Sequence, residues 1–357
     1  MDQIVQPLIA WYQLHKRDLP WRKERNAYYI WVSEIMLQQT RVEAVKGYFE
    51  RFIQALPTME DLAFVEEDIL LKLWEGLGYY NRVRNMQKCA LYCVAHYGGQ
   101  LPQEYEQLLA LPGIGSYTAG AIASIAYGIP KPAVDGNVLR VAARLRNDST
   151  DIMLPICKKN VSELLEHIIP ADQPGEFNQA LMELGATICV PNGAPRCSIC
   201  PVQSYCEGYR CHTAHFLPNK TAKKARSIEE RTVLVVYCDQ GVLLQKRPSE
   251  GLLSGLYEFI NLEGKIKRSD IPRIVELQGM EILHIQKLSG SKHIFTHKEW
   301  HMQGYALLVY PGKGGIWAKR EELDHVYSMP TAFKVYKEAA LQLLALTQSG
   351  ITRNSTD

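Results

Sequence analysis

The sequence predicts two folds in succession, an all-α part followed by an α+β part, and three observations carry that reading. Apolar residues recur at helical spacing from the N-terminus to about Cys211, then alternate with period two beyond about residue 229. At 357 residues the chain is also longer than one hydrophobic core usually serves. The expected organisation is therefore a helical part over 1–211, a linker over 212–228, an α+β part over 229–347 and a flexible tail over 348–357.

Composition bounds the function. Apolar residues make up 46% and charged residues 22%, the values of a soluble globular protein. Forty Lys and Arg against 38 Asp and Glu leave a net charge of only +2. A surface for nucleic acid would thus have to come from local clustering, such as Lys220, Lys223, Lys224 and Arg226. Near Met1 no basic segment precedes an apolar core, and no stretch is long and apolar enough to span a bilayer. A cytoplasmic protein that does not enter membranes is expected. Its nine cysteines are then not expected to form a disulfide framework.

In the helical part, Ile4, Leu8, Trp11 and Tyr12 share a face that breaks at Leu19-Pro20-Trp21-Arg22. Trp21 offers a stacking plane and Arg22 a guanidinium, which suit an extruded base or a phosphate; simple packing of a Trp beside Pro is the alternative. A helix is predicted over about Tyr28 to Thr40, reading Y-I-W-V-S-E-I-M-L-Q-Q-T. Its Glu34 has Ile30 and Trp31 one turn before and Leu37 and Gln38 one turn after. Burial there would raise its pKa, as a general acid near neutral pH requires; a rim glutamate paired with Arg41 is the alternative. Val42, Val45, Phe49, Phe52 and Ile53 predict the next helix, and Leu62 to Leu73 another. Gly76 and Gly78 then end a helix and leave Tyr79 and Tyr80 projecting, with Arg82 and Arg84 near for phosphates. Cys89 and Cys93 read as core residues.

Two apolar segments flank Pro112-Gly113-Ile114-Gly115, a pattern for a tight reversal between short helices, the second starting at about Ser116. Backbone N–H groups at that start suit a phosphate oxygen, although an ordinary helical hairpin has the same pattern. Val134-Asp135-Gly136-Asn137 follows, and Asp135 or Asn137 would serve as N-cap of a helix through Val138, Val141 and Leu145. A cap also holds a carboxylate rigidly, so a chemical role is compatible with it.

Cys189, Cys197, Cys200 and Cys206 lie within eighteen residues as C-x7-C-x2-C-x5-C. Such a group implies a metal site, and spacing alone allows zinc or a [4Fe-4S] cluster, with Cys211 a rival fourth ligand. In the α+β part, Thr232 to Tyr237 and Val242 to Gln245 predict a hairpin through Asp239-Gln240-Gly241. Further strands are expected at Glu281 to Leu288, His293 to Thr296 and Tyr305 to Tyr310, with helices near Ile271 to Leu277 and Thr331 to Leu346.

S-E-I-M-L-Q-Q-T, the hairpin followed by V-D-G-N, and the cysteine run resemble the MutY-type adenine DNA glycosylases of the helix-hairpin-helix superfamily, over nearly the whole chain. The resemblance implies a helical domain with an iron-sulfur loop and a Nudix-like C-terminal domain. It implies one [4Fe-4S] cluster on Cys189, Cys197, Cys200 and Cys206, although the family's first gap is six residues and this one is seven. Glu34 would protonate the adenine, Asp135 would stabilise the reacting sugar, and Asn137 and Tyr117 would orient Asp135 and the sugar or water. Tyr79 matches the wedge that enters the base stack, with Gln39 as companion. Trp21, Arg22, Leu37, Thr40, Gly113, Gly115 and Ser116 are assigned to DNA. Phe295-Thr296-His297 matches the family's Phe-Ser-His loop for 8-oxoguanine, with Thr for Ser.

The implied activity is monofunctional removal of adenine opposite 8-oxoguanine, and also opposite guanine, from duplex DNA by a monomer associated with a bacterial nucleoid. An endonuclease III-like lyase would need a lysine where Tyr117 stands, because a phenol makes no Schiff base. A non-catalytic lesion binder would not need Glu34 and Asp135. A Nudix hydrolase would need an Arg and Glu box that the stretch after Gly251 lacks, so the C-terminal part is expected to bind rather than cleave, with no catalytic divalent cation.

Overall fold

The computed structural model describes residues 1–222, 225–276, 279–312 and 314–348. Lys223 and Lys224 of the expected basic cluster, Leu277 and residues 349–357 of the expected tail lie outside the described residues. The chain forms two compact units, and the division is not a single cut. Met1–Val65 and Asn81–Ala222 make the first, whereas Glu66–Tyr80 joins the described residues beyond Ala222 in the second. Among the described residues no helix is long and apolar enough to cross a membrane.

The first unit is built from helices. Val5–His15, Gly136–Arg146, Pro155–Ile168 and Pro174–Thr187 share a core in which Leu8, Val141, Leu165, Phe177 and Leu184 are buried. Burying each such side chain contributes roughly 1.5–3 kcal/mol. Ala27–Met36 begins where the Asn26 side chain accepts from the Tyr28 and Tyr29 N–H groups, a side-chain N-cap. It ends at Met36, four residues before the predicted end at Thr40, and Gln39 takes a left-handed backbone with φ of 60°. The predicted Leu62–Leu73 helix is in fact two, Met59–Phe64 and Glu67–Leu73. Extended backbone at Val65 and Glu66 separates them, and the chain there passes into the second unit.

The hairpin joins Tyr105–Leu109 to Ser116–Ala121. Gly113 at its turn has φ of +76°, and a Cβ there would stand 2.8 Å from the Asn85 Cβ. Beyond Ala121 the chain widens into a π turn over Ile122–Ala126. Asn178, fully buried on Pro174–Thr187, holds that turn and the next loop together. Its Nδ2 donates to Ser124 Oγ at 2.8 Å and to the Lys131 carbonyl at 2.9 Å, and its Oδ1 accepts from the Ala133 N–H at 3.1 Å. Three hydrogen bonds from one buried amide fix the chain two residues before Asp135.

The second unit is a mixed sheet of β1 (Ser227–Cys238), β2 (Gly241–Lys246), β3 (Tyr257–Glu258), β4 (Ile260–Glu263), β5 (Glu281–Ile294), β6 (Lys298–Tyr310) and β7 (Ile316–Ala318) among the described residues. The path runs β3-β2-β1-β6-β5, with β1 and β6 parallel and β4 and β7 paired to β1 and β2. The expected hairpin is present with Tyr237 opposite Val242. His293 and Ile294 end β5 rather than opening a separate strand, and Phe295-Thr296-His297 is the tip of a second hairpin, with Ile294 opposite Glu299. The Lys334–Gln348 helix packs Tyr336, Ala340 and Leu344 into a core with Val233, Val235 and Trp300.

The Glu67–Leu73 helix and its exit are tied into this second unit. Asp68 accepts from Lys246 Nζ at 2.7 Å and from the Tyr257 hydroxyl at 2.9 Å. The Leu71 carbonyl accepts from Ser328 Oγ at 3.0 Å, and Glu75 Oε1 accepts from the Met329 N–H at 2.9 Å.

Candidate active site

A cavity of about 1150 Å³ in the first unit gathers most of the residues expected to act. Its wall includes Glu34, Tyr117, Asp135, Asn137, Trp21, Arg22, Leu37, Gln39, Thr40, Gly113, Gly115 and Ser116. Five local structures bring them together: the Pro20–Arg22 turn, the Ala27–Met36 helix, the turn after it, the hairpin, and the start of Gly136–Arg146.

Glu34 is 6% exposed on the last turn of its helix. Burial pushes its carboxyl up from 4.5 to about 7; nearby Asp135 adds to the rise, and the Tyr117 hydrogen bond and the Arg22 charge oppose it. The Tyr117 hydroxyl donates to Glu34 Oε2 and stands 3.9 Å from Met182 Sδ. Burial, then Glu34 and Asp135, hold the Tyr117 phenol well above its ordinary range, so it stays a neutral donor. Arg41 lines the same cavity, but the partner found for the Glu34 carboxylate is Tyr117.

Asp135 is the N-cap of Gly136–Arg146. Its Oδ1 accepts from the Val138 N–H at 2.8 Å and its Oδ2 from Asn137 Nδ2 at 2.8 Å. Burial raises its pKa, and these donors oppose the rise. Asn137 is held in turn, its Oδ1 accepting from Arg140 Nη2 at 3.1 Å. Arg140 also donates to the carbonyls of Gly185 at 2.8 Å and Cys189 at 2.9 Å.

Trp21 is 6% exposed and packs at a steep angle against Phe49, 5.5 Å between centroids, so most of its ring is buried in packing. Arg22 is gripped by Glu183, with Nη2 at 2.8 Å from Oε2, and Arg17 Nε reaches the other oxygen at 2.5 Å. Burial would raise the Glu183 pKa, but the hydrogen bonds and charges of Arg17 and Arg22 prevail and lower it. The guanidinium of Arg22 is thereby fixed in the cavity wall. Arg82, expected near a phosphate, donates from Nη1 to the Gln38 carbonyl at 2.8 Å.

Glu183, Arg17, Gln179 and Met182 line the cavity and were not singled out from the sequence. Glu183 carried the signal that exposed Glu34, a carboxylate within an apolar helix, in Phe177-Asn178-Gln179-Ala180-Leu181-Met182-Glu183-Leu184.

Tyr79, Phe295, Thr296 and His297 belong to the second unit. Tyr79 is 48% exposed with φ of 50°, and its hydroxyl shares a hydrogen bond with Thr296 Oγ1 at 3.1 Å. Phe295 is half-buried, edge-on to Trp300 at 4.9 Å, while Thr296 and His297 are exposed. The tip is held from the start of β1: Arg226 Nε donates to the Phe295 carbonyl at 3.1 Å and the Ser227 N–H to the His297 carbonyl at 3.2 Å.

Cys189, Cys197, Cys200 and Cys206 all line one small apolar cavity walled by Val141, Leu145, Leu184 and Ile188, of which Cys211 is no part. Arg144 Nη1 donates to Cys189 Sγ at 3.3 Å. Burial pushes the Cys200 thiol up to about 12, a cost that a bound cation would remove by taking the thiolate. Four soft donors on one apolar cavity with a guanidinium at its edge fit a thiolate-ligated metal centre. Among the described residues no three of His, Cys, Asp and Glu converge on a single metal ion.

Residues 32–171 match the family model described as HhH-GPD superfamily base excision DNA repair protein, and 232–339 match a NUDIX domain. The adenine DNA glycosylase of Mus musculus is 35% identical over 93% of this chain and 77% of that protein. That of Homo sapiens is 35% identical over 92% and 72%, and that of Buchnera aphidicola subsp. Baizongia pistaciae 34% over 82% of each. Among solved structures, a thermostable thymine-DNA glycosylase is similar with a TM-score of 0.53 and 29% identity, covering 58% of this chain and 96% of its own. An endonuclease III–DNA complex follows at a TM-score of 0.50 and 25% identity, covering 59% and 98%.

Proposed function

The chain belongs to the adenine DNA glycosylase family of base excision repair, and we propose that it hydrolyses the glycosidic bond of adenine opposite 8-oxoguanine in duplex DNA without cutting the strand. The observation that carries the chemistry is the pair of carboxylates, buried Glu34 and half-buried Asp135, on one cavity with the neutral Tyr117 hydroxyl donating to the first. A base within the stack is out of reach, so adenine must swing out into that cavity.

Glu34, with a pKa near 7, is in part protonated at neutral pH and donates its proton to a ring nitrogen of the adenine, so that the base leaves neutral. Such general acid catalysis is typically worth roughly 10²–10⁴-fold. Asp135, its carboxylate accepting from the Val138 N–H and Asn137, faces the positive charge that develops on the sugar. Water completes the hydrolysis. Tyr117 keeps Glu34 in place and brings no amine, so no imine to the sugar forms.

Cys189, Cys197, Cys200 and Cys206, which line one apolar cavity, would hold the [4Fe-4S] cluster that the likeness to endonuclease III-type glycosylases implies. When bound, the cluster would lock the loop from Cys189 to Cys206 to the Gly136–Arg146 helix. Reading of the opposite base is assigned to Thr296 and its hydroxyl partner Tyr79, with His297 beside them.

The test is strand scission on duplexes carrying A opposite 8-oxoguanine, G or C, with and without alkali. Cleavage fastest for 8-oxoguanine and only after alkali is expected. Equal rates on all three would end the lesion assignment, and breaks without alkali, or a borohydride-trapped adduct lost on replacing Tyr117, would end the monofunctional one.

A further inference from the structure

Arg82 turns one end of its guanidinium onto the protein itself. One Nη1 donates to three main-chain carbonyls: Ile35 at 2.5 Å, Gln38 at 2.8 Å and Met36 at 3.3 Å. These are the last carbonyls of the Ala27–Met36 helix and the turn that follows it. A helix end leaves such carbonyls without intrahelical donors, and the negative end of the helix dipole favours a cation there. Helices commonly solve this with a glycine just past the end, but Leu37-Gln38-Gln39-Thr40 has none, and Gln39 is forced into the left-handed region with φ of 60°. The arginine, delivered by the Asn81–Tyr97 helix, does the closing instead.

We propose that Arg82 is a positioning residue for the base-removal reaction: by capping the helix that bears Glu34 it sets where that carboxyl stands and holds the Leu37–Thr40 turn on the cavity wall. Glu34 lies one residue before the first capped carbonyl, Ile35, so any unwinding of that turn moves its carboxyl directly. Its distance from Tyr117 and from the base would change together. The inference rests on Glu34 being the acid, and it replaces the reading of Arg82 as a phosphate contact.

The two roles give opposite signatures. Single-turnover adenine release at saturating enzyme is compared among wild type, Arg82→Ala, Arg82→Lys and Glu34→Gln. Affinity is measured as a function of salt on the same duplex with a 2′-fluoro target nucleotide that resists cleavage. A misplaced carboxyl predicts that Arg82→Ala slows release by roughly 10- to 100-fold while affinity changes less than about 3-fold, with the salt slope unchanged. Arg82→Lys, which keeps a cation able to reach the carbonyls, should recover most of the rate.

A saturated Arg82→Ala rate equal to wild type, with affinity weakened and the salt slope reduced by about one, would make Arg82 a phosphate contact and overturn the inference. A lowered melting temperature with the saturated rate unchanged, or a lysine variant no faster than alanine, would overturn it too. Glu34→Gln releasing adenine at the wild-type rate would instead remove the acid assignment, whatever Arg82 does.

Discussion

Glu34 joins a chemical requirement to a cost in stability. In the unfolded chain its carboxyl ionises near 4.5, and in the folded chain burial raises this to about 7. Well below pH 4.5 both states are protonated and its burial costs nothing. As pH rises from 4.5 to about 7 the unfolded chain holds fewer protons than the folded one, and stability is lost, the loss being complete above about 7. Replacing Glu34 by Gln should therefore stabilise the protein at pH 8 by on the order of 3 kcal/mol, the gain vanishing near pH 4–5. Urea denaturation of both proteins at the two pH values measures this, and a gain independent of pH would refute it. Release of adenine should in turn fall above about pH 7, as Glu34 loses its proton, and fall again in acid as Asp135 gains one. Tyr117, buried and raised beyond its ordinary range, should add no limb of its own below pH 9; a third titration there would mean that the phenol is ionised in the reaction.

The bounds of elements moved at both ends: β6 begins at Lys298, seven residues before the expected Tyr305, and Ala27–Met36 ends four before Thr40. Asn26 and Asp135 are side-chain caps, short-range signals that a sequence displays. The last carbonyls of Ala27–Met36 and its turn accept from Arg82, more than forty residues away, and no local pattern announces it. Glu183 shows the same asymmetry, since its apolar helix was visible but its two arginine partners come from the other end of the unit. Close packing between elements gives a test at this scale. A Cβ on Gly175 would stand 2.7 Å from the Ser124 carbonyl oxygen and 2.8 Å from Ile125 Cα, so Gly175→Ala must push Pro174–Thr187 away from the π turn. The expected cost is roughly 1–3 kcal/mol, read as a lower melting temperature with slower release in the folded fraction. An unchanged melting temperature would show that the helix can slide there without penalty.

For the molecule as a whole, the change of period near residue 229 located the sheet, and the cysteine spacing located one apolar cavity. The sequence did not reveal that Glu66–Tyr80, read as one more piece of the helical part, packs with the sheet. Its ties are made by Asp68, Leu71 and Glu75 to residues at least 170 positions later, a separation at which a single sequence carries no signal. A protease site placed between Thr213 and Ala222 should accordingly give two fragments that co-elute on gel filtration, because the first carries a helix of the second unit. Fragments that separate in dilute buffer would show those ties to be weak. The same arrangement limits how such proteins can be recombined. Grafting a relative's C-terminal module at the linker would leave this chain's own Asp68, Leu71 and Glu75 facing foreign counterparts of Lys246, Tyr257, Ser328 and Met329. A working chimera needs two crossover segments, and the fifteen residues from Glu66 to Tyr80 must travel with the module they serve.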